Sequence, residues 1–408
     1  MDVYLQQSLI NNLNSEIQIT GSKSESNRLL ILQALFDNVT IKNLSNSDDS
    51  QVLQKALASI SKKIDIHHAG TAMRFLTAYY AIQVGKEVTL TGSARMQQRP
   101  IGVLVDALQE LGADITYLKE EGYPPLLIKG KALTKNKVSL KADVSSQYIS
   151  ALLLIAPVLK NGLALTLKGE ITSTPYLKMT LALLNKIGVQ TNFENNIIKV
   201  KPHTSHLTDQ PLTVESDWSS ASYFYSLVAL STEGTQIKLS SYFKKSLQGD
   251  SVLTEIYEQF GVQTEFHKNT ITLKKGIIPH TSHLTLNLKN TPDIAQTITV
   301  TCFGLGIACC LTGLHTLKIK ETDRLIALQT ELEKLGASVV ITEDSLQLSP
   351  SKKINKNISI ATYQDHRMAM AFAPLALKTT LTITNSEVVS KSYPTFWEDL
   401  KAIGVVLN

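Results

Sequence analysis

Apolar and polar positions along this chain follow two alternating rhythms. Five times an amphipathic run, with leucine and isoleucine three and four residues apart, meets a glycine and then a short β-branched run. The copies read LVDALQELGADITYL, LALLNKIGVQTNF, LTEIYEQFGVQTEF, LQTELEKLGASVVI and WEDLKAIGVVLN. The three- and four-residue spacing makes one apolar helix face. Glycine then supplies the left-handed residue that ends the helix, and the alternation that follows predicts a strand. The glycines are Gly112, Gly188, Gly261, Gly336 and Gly404, separated by 76, 73, 75 and 68 residues. A degenerate early copy, VLQKALASISKKIDI, has Ser61 near the glycine's place. The heptapeptide PHTSHLT occurs at 202–208 and again at 279–285, at the same offset. Self-similarity at this period predicts an α/β fold made of copies of one unit, β-α-β-α-β-β by element count. A ring, a stack and two bundles all satisfy that pattern.

Composition agrees with a chain that packs a large core: 43% of its 408 residues are apolar and 18% charged. The length predicts two domains or three. A net charge of +5 with no run of like charges argues against nucleic acid as a partner. Cys302, Cys309 and Cys310 share one apolar stretch without metal-ligand spacing, so they read as buried thiols. They suit a reducing, cytoplasmic setting, and no basic-then-apolar leader opens the sequence. Ile294 to Gly313 is the most apolar stretch. Its four threonines, Gln296 and internal glycines make it a buried helix rather than a membrane span.

Arginine changes the picture. Only six of the 40 basic residues are arginine: Arg28, Arg74, Arg95, Arg99, Arg324 and Arg367. Each lies in a polar segment: GSKSESNR, HHAGTAMR, GSARMQQRP, KIKETDR or YQDHRMAM. A guanidinium matches carboxylate and phosphate with a planar fork, so sparing use predicts anion recognition. Three helix starts are rich in donors. Ser22, Lys23, Ser24 and Arg28 open one, with the helix beginning near Ser24. Gly70 and Thr71 stand just before the second, with Arg74 in its first turn. Ser145, Ser146 and Gln147 open the third. Helix N-termini favour anions. Lys320, Glu321, Thr322, Asp323 and Arg324 crowd a fourth helix start, where such charge density needs pairing or a ligand. Asp365, His366 and Arg367 precede an apolar helix, but no nucleophile elbow accompanies them. His67 with His68, and the pairs His203/His206 and His280/His283, lack a third metal ligand and read as surface turns.

Taken together these segments resemble the 5-enolpyruvylshikimate-3-phosphate synthase family. The motifs are residues 21–28, 69–74, 95–102, 145–147, 292–293, 320–324 and 365–368, and they run in the family's order over nearly the whole chain. The resemblance implies two lobes of three β-α-β-α-β-β units each, the inside-out α/β barrel of the enolpyruvyl transferases. Residues 1–20 with 216–408 are expected to form one lobe and 21–215 the other, with the active site in the cleft between. It implies transfer of the enolpyruvyl group of phosphoenolpyruvate to the 5-hydroxyl of shikimate 3-phosphate, by addition and elimination. No metal or organic cofactor is implied, and a cytoplasmic monomer is expected.

Carried over by motif, shikimate 3-phosphate meets Lys23, Ser24, Arg28, Ser145, Ser146, Gln147, Ser173, Asp293, Thr316 and Lys320. Phosphoenolpyruvate meets Lys23, Gly70, Arg99, Gln147, Arg324, Arg367 and Lys391. Asp293 takes the hydroxyl proton, Glu321 serves the methylene carbon, and Lys23 lies by the leaving oxygen. His366 assists or orients Arg367. Arg74 and Arg95 read as scaffold. The chain departs from the commoner family pattern at His68, Phe75 and Thr316, and Gly70 leaves room for glyphosate beside the phosphoenolpyruvate site. The rival assignment, UDP-N-acetylglucosamine enolpyruvyl transferase, typically carries a reactive cysteine near residues 85–99, where this chain has none. A non-catalytic anion scaffold does not need Lys23, Asp293 and Glu321 together.

Overall fold

The computed structural model describes residues 1–10, 16–141, 145–169, 171, 174–203, 211–279 and 281–408. The chain divides into two compact units. One is Met1–Gly21 with Glu215–Asn408, and the other is Ser22–Val214.

The unit Ser22–Val214 carries helices α1 (Lys23–Leu35), α2 (Asp48–Leu57), α3 (Gly70–Ala81), α4 (Gly102–Leu111), α5 (Ser146–Ile155) and α6 (Thr174–Lys186). Strand Lys63–Asp65 runs parallel to Glu87–Thr91 across α3. Leu126–Lys129 then pairs antiparallel with Glu87–Thr91, and Asp114–Tyr117 lies outermost. The chain order is therefore strand, helix, strand, helix, strand, strand. The same order recurs over 137–200, where Lys137–Lys141 is parallel to Leu163–Lys168 across α5. A short parallel pair, Leu212–Thr213 with Ile41–Lys42, completes this unit's sheets.

The other unit carries α7 (Trp218–Leu230), α8 (Leu253–Glu258), α9 (Ala295–Leu305), α10 (Arg324–Lys334), α11 (His366–Phe372) and α12 (Phe396–Ala402). One sheet, His283–Asn287, Ala308–Thr312, Leu346–Leu348 and Val339–Ile341, repeats the same order around α9 and α10. In another, Glu16–Ile17 lies parallel to Gln236–Ser240, so residues before the 22–214 excursion finish a sheet made after it. The N-terminal strand Val3–Leu5 likewise pairs with Leu381–Ile383.

Each unit has helices that are buried along their whole length, while others, such as α2 and α12, keep an exposed face. All twelve residues of α3, all thirteen of α7 and all seven of α11 are buried. A helix apolar on every side belongs in a core. Its few hydroxyls pair with one another, as Ser226 with Thr301 and Ser222 with Thr297 do. The five repeat glycines all have positive φ, from 75° at Gly261 to 108° at Gly112, so each does end its helix in the left-handed region.

The stretch Ile294–Gly313 is not one helix. Helix α9 stops at Leu305, Gly306 turns the chain at φ 71°, and Ala308–Thr312 is a strand. An unbroken apolar run reads alike for a buried helix and a buried strand, and only the glycine separates them. Cys302 sits on the helix and Cys309 on the strand, both buried. Among the described residues no helix is long and apolar enough to cross a membrane.

Candidate active site

In the unit Ser22–Val214 two of the donor-rich helix starts, those of α3 and α5, meet. Lys23 is the first residue of α1, and its Nζ lies 3.4 Å from Asp49 Oδ2 in the first turn of α2. Gln147 Nε2 donates to Thr71 Oγ1 at 3.2 Å, joining the starts of α5 and α3. Ser145 caps α5 by accepting from the Gln147 amide. Arg99 reaches back from the loop after Glu87–Thr91 until its Nη1 stands 2.6 Å from where a Cβ on Gly70 would lie. Gly70 is itself the first residue of α3, not the residue before it. Gly70→Ala is therefore expected to push the Arg99 guanidinium aside. A structure of the variant checks this, and an Arg99 guanidinium left in place would contradict it.

Two arginines of this unit serve its interior. Arg28 is buried, and its guanidinium donates to Thr180 Oγ1, Ser150 Oγ, and the carbonyls of Ser24 and Tyr176. Burial pulls its pKa down to about 10. It ties α1 to α5 and α6, with Ser24 at its back. Arg74 lies one turn inside α3 rather than in its first turn. It donates to the carbonyls of Gly70 and Pro100 and so braces the loop that carries Arg99. Arg95 is exposed.

The second cluster belongs to the unit of Met1–Gly21 and Glu215–Asn408, and Asp293 is at its middle. Asp293 Oδ1 accepts from Arg324 Nη1 at 2.9 Å and lies 3.5 Å from Lys320 Nζ. Its Oδ2 accepts from Arg367 Nη2 at 3.1 Å. Arg324, 2% exposed, also donates through Nε to Asp365 Oδ2 at 2.6 Å and through Nη2 to Glu321 Oε2 at 2.9 Å. Burial alone lowers the Arg324 pKa, but Asp365, Glu321 and Asp293 outweigh it and hold it above the ordinary value. Arg367 is likewise lowered by burial and raised further by Asp293 and its neighbours. Both stay cationic at any working pH. Asp323 caps α10 and Asp365 caps α11, which fixes where Arg324 and Arg367 leave their helices. Two arginines and a lysine thus crowd one carboxylate, a concentration of cations that suits anions.

Sequence reasoning missed three residues. Asp49 pairs with Lys23, and its only sequence signal is the acidic start of α2. Ser219 and Asp250 extend the Asp293 cluster: Arg367 Nη2 donates to Ser219 Oγ at 3.3 Å, and Ser219 donates in turn to Asp250 Oδ2. Burial, with Asp293 nearby, pushes the Asp250 carboxyl up from 3.8 to about 7. A raised folded pKa means that the proton stabilises the fold. That contribution is complete below about pH 4 and is lost as pH rises through 7. Asp250→Asn is expected to remove a fall on the order of 1.4 kcal/mol per pH unit across that window. Urea unfolding at several pH values reads it, and identical slopes in the two proteins would contradict it.

The remaining expected residues are placed as follows. Lys391 Nζ donates to the Gln364 carbonyl at 2.6 Å, just before Asp365. Thr316 lies in the turn His315–Ile319, with its hydroxyl buried and no hydrogen-bond partner among the described residues. His366 is buried, with Nδ1 3.8 Å from Asp365 Oδ1. Ser173 lies outside the described residues, as do His206 and His280. His203 packs edge-on against Phe36, and His283 begins a strand. Among the described residues no three His, Cys, Asp or Glu side chains gather as metal ligands.

Solved enolpyruvyl transferases share this architecture. EPSP synthase from Acinetobacter baumannii superimposes with a TM-score of 0.79 over 100% of this chain and 99% of its own, at 21% identity. The enolpyruvyl transferase NikO from Streptomyces tendae gives 0.75 over 100% and 98%, at 13% identity. The fold is that of the enolpyruvyl transferases. Sequence narrows the class. The family model for EPSP synthase (3-phosphoshikimate 1-carboxyvinyltransferase) matches residues 8–400. The 3-phosphoshikimate 1-carboxyvinyltransferase of Bacteroides fragilis is 48% identical over 397 residues, covering 96% of each chain. That of Shewanella denitrificans is 36% identical over 95% of this chain and 96% of its own. The chain belongs to the EPSP synthase family, and its activity is 3-phosphoshikimate carboxyvinyl transfer in the shikimate route to aromatic amino acids.

Proposed function

We propose that phosphoenolpyruvate is the donor and that the 5-hydroxyl of shikimate 3-phosphate attacks it. The observation that carries this reading is Asp293, a carboxylate held between Arg324, Arg367 and Lys320. Asp293 takes the hydroxyl proton as the oxygen bonds to C2 of phosphoenolpyruvate. Glu321, fixed by Arg324, delivers a proton to the methylene carbon and makes it a methyl group. The tetrahedral intermediate carries carboxylate and phosphate together, and Arg324, Arg367 and Lys391 stabilise that charge. Glu321 then removes a methyl proton, the C2–O bond to phosphate breaks, and Lys23 assists the leaving oxygen. The products are the enolpyruvyl ether and phosphate. His366 precedes Arg367 on α11, with its Nδ1 3.8 Å from Asp365 Oδ1.

Shikimate 3-phosphate takes Lys23, Ser24, Ser145, Ser146, Gln147, Ser173, Thr316 and Lys320, with Arg28 behind them. Gly70, Arg99 and Gln147 join the donor arginines. The test is phosphate release from phosphoenolpyruvate with shikimate 3-phosphate and, separately, with UDP-N-acetylglucosamine. Turnover with the first alone is expected. Turnover with the second alone would overturn the acceptor assignment.

A further inference from the structure

The turn that presents Asp365 and Arg367 has an unusual backbone. Tyr363 and Gln364 both have positive φ, 53° and 57°, although neither is glycine. Two successive side-chain-bearing residues in the left-handed region persist only where the surroundings hold them. One side chain does most of the holding. Glu331 lies seven residues after Arg324 on α10, two turns along, so the same helix face carries both. It is wholly buried. Its Oε2 accepts from the Ala361 amide at 3.2 Å, and its Oε1 accepts from the Tyr363 hydroxyl at 2.6 Å. Lys334 Nζ contacts both oxygens, at 2.8 and 2.7 Å. Burying a carboxylate on a helix is costly, and a helix needing only to pack there would carry an apolar residue. Burial and Glu331 together push the Tyr363 phenol up to about 12, so it remains a donor.

What leaves this turn explains the expense. Asp365 closes it by donating its amide to the Thr362 carbonyl, and its carboxylate then takes Arg324. Gln364 offers its carbonyl to Lys391. Arg367 follows and reaches Asp293. We propose that Glu331 is a positioning residue of this enzyme: it sets the left-handed turn 361–365 from which the groups that hold phosphoenolpyruvate are aimed. Glu331 touches no substrate in this role. The inference rests on the reading that Arg324, Arg367 and Lys391 bind that substrate.

The test is steady-state kinetics with each substrate varied in turn, on Glu331→Ala, Glu331→Gln and Tyr363→Phe, with Arg367→Lys alongside. Glu331→Ala is expected to raise the KM for phosphoenolpyruvate about tenfold while that for shikimate 3-phosphate moves less than about threefold. Glu331→Gln keeps an acceptor oxygen and restores most of the loss. Tyr363→Phe removes one of the two bonds and gives a smaller rise in the same KM. If Glu331→Ala does not fold, Tyr363→Phe decides. A lowered melting temperature with both KM values unchanged would overturn the proposal and leave Glu331 a purely structural residue. If the KM for phosphoenolpyruvate rises in Arg367→Lys but in none of the other variants, only the positioning role falls. If it fails to rise in Arg367→Lys, the donor-site reading falls and takes this proposal with it.

Discussion

Asp293→Ala is expected to lower kcat by about a hundredfold to ten-thousandfold, the range for losing a positioned general base. The effect has two sources. The acceptor hydroxyl loses the group that takes its proton. Arg324 and Arg367 also lose the carboxylate that now spaces them, with bonds of 2.9 and 3.1 Å. Asp293→Asn separates the two, because an amide keeps one acceptor oxygen for an arginine but cannot take the proton. Its kcat is expected to fall nearly as far as that of the alanine variant. Initial rates of phosphate release at saturating substrate check both. An Asp293→Asn protein within about tenfold of the parent would move the base elsewhere.

Arg324→Ala carries the largest expected loss of stability. Asp365 is wholly buried and takes two of the Arg324 nitrogens, at 2.6 and 3.4 Å. Removing one partner of a buried pair strands the other charge, at a cost of about 3–5 kcal/mol. Glu321 and Asp293 are more exposed than Asp365, so solvent relieves part of their loss. Arg324→Lys keeps the charge but not the fork, and one ammonium does not reproduce bonds to three separate carboxylates. It is expected to fall between the parent and the alanine variant. Denaturant unfolding at pH 7 reads the difference. A loss below about 1 kcal/mol, the level of a surface pair, would mean that the three carboxylates do not depend on this cation.

The repeat was legible because each copy ends in the same way. A helix that stops at a left-handed residue needs glycine, and Gly112, Gly188, Gly261, Gly336 and Gly404 all take that conformation. The stretch from Ile294 to Gly313 was misread because burial on all sides erases the difference between helix and strand periods. The arginines did not divide along one line, because a buried guanidinium fork fits neutral oxygens as well as carboxylates. Arg324 and Arg367 first meet the protein's own Asp365, Glu321 and Asp293. Among the described residues Arg28 donates to neutral oxygens, of Thr180, Ser150 and two carbonyls. Its partners lie up to 152 positions away, and no local pattern announces them. The same holds for Ser219 with Asp250 and for Glu331 with Tyr363. Each is an ordinary residue until the fold buries it beside the other.

The most direct measurement is a structure of the Asp293→Asn protein with shikimate 3-phosphate and phosphoenolpyruvate both bound. The account predicts the acceptor's 5-hydroxyl within about 3 Å of the residue 293 side chain. It predicts the phosphate and carboxylate of phosphoenolpyruvate on Arg324, Arg367 and Lys391, and shikimate 3-phosphate on Lys23, Ser24 and the Ser145–Gln147 helix start. Phosphoenolpyruvate bound away from both arginines, or the acceptor hydroxyl facing a group other than residue 293, would contradict it.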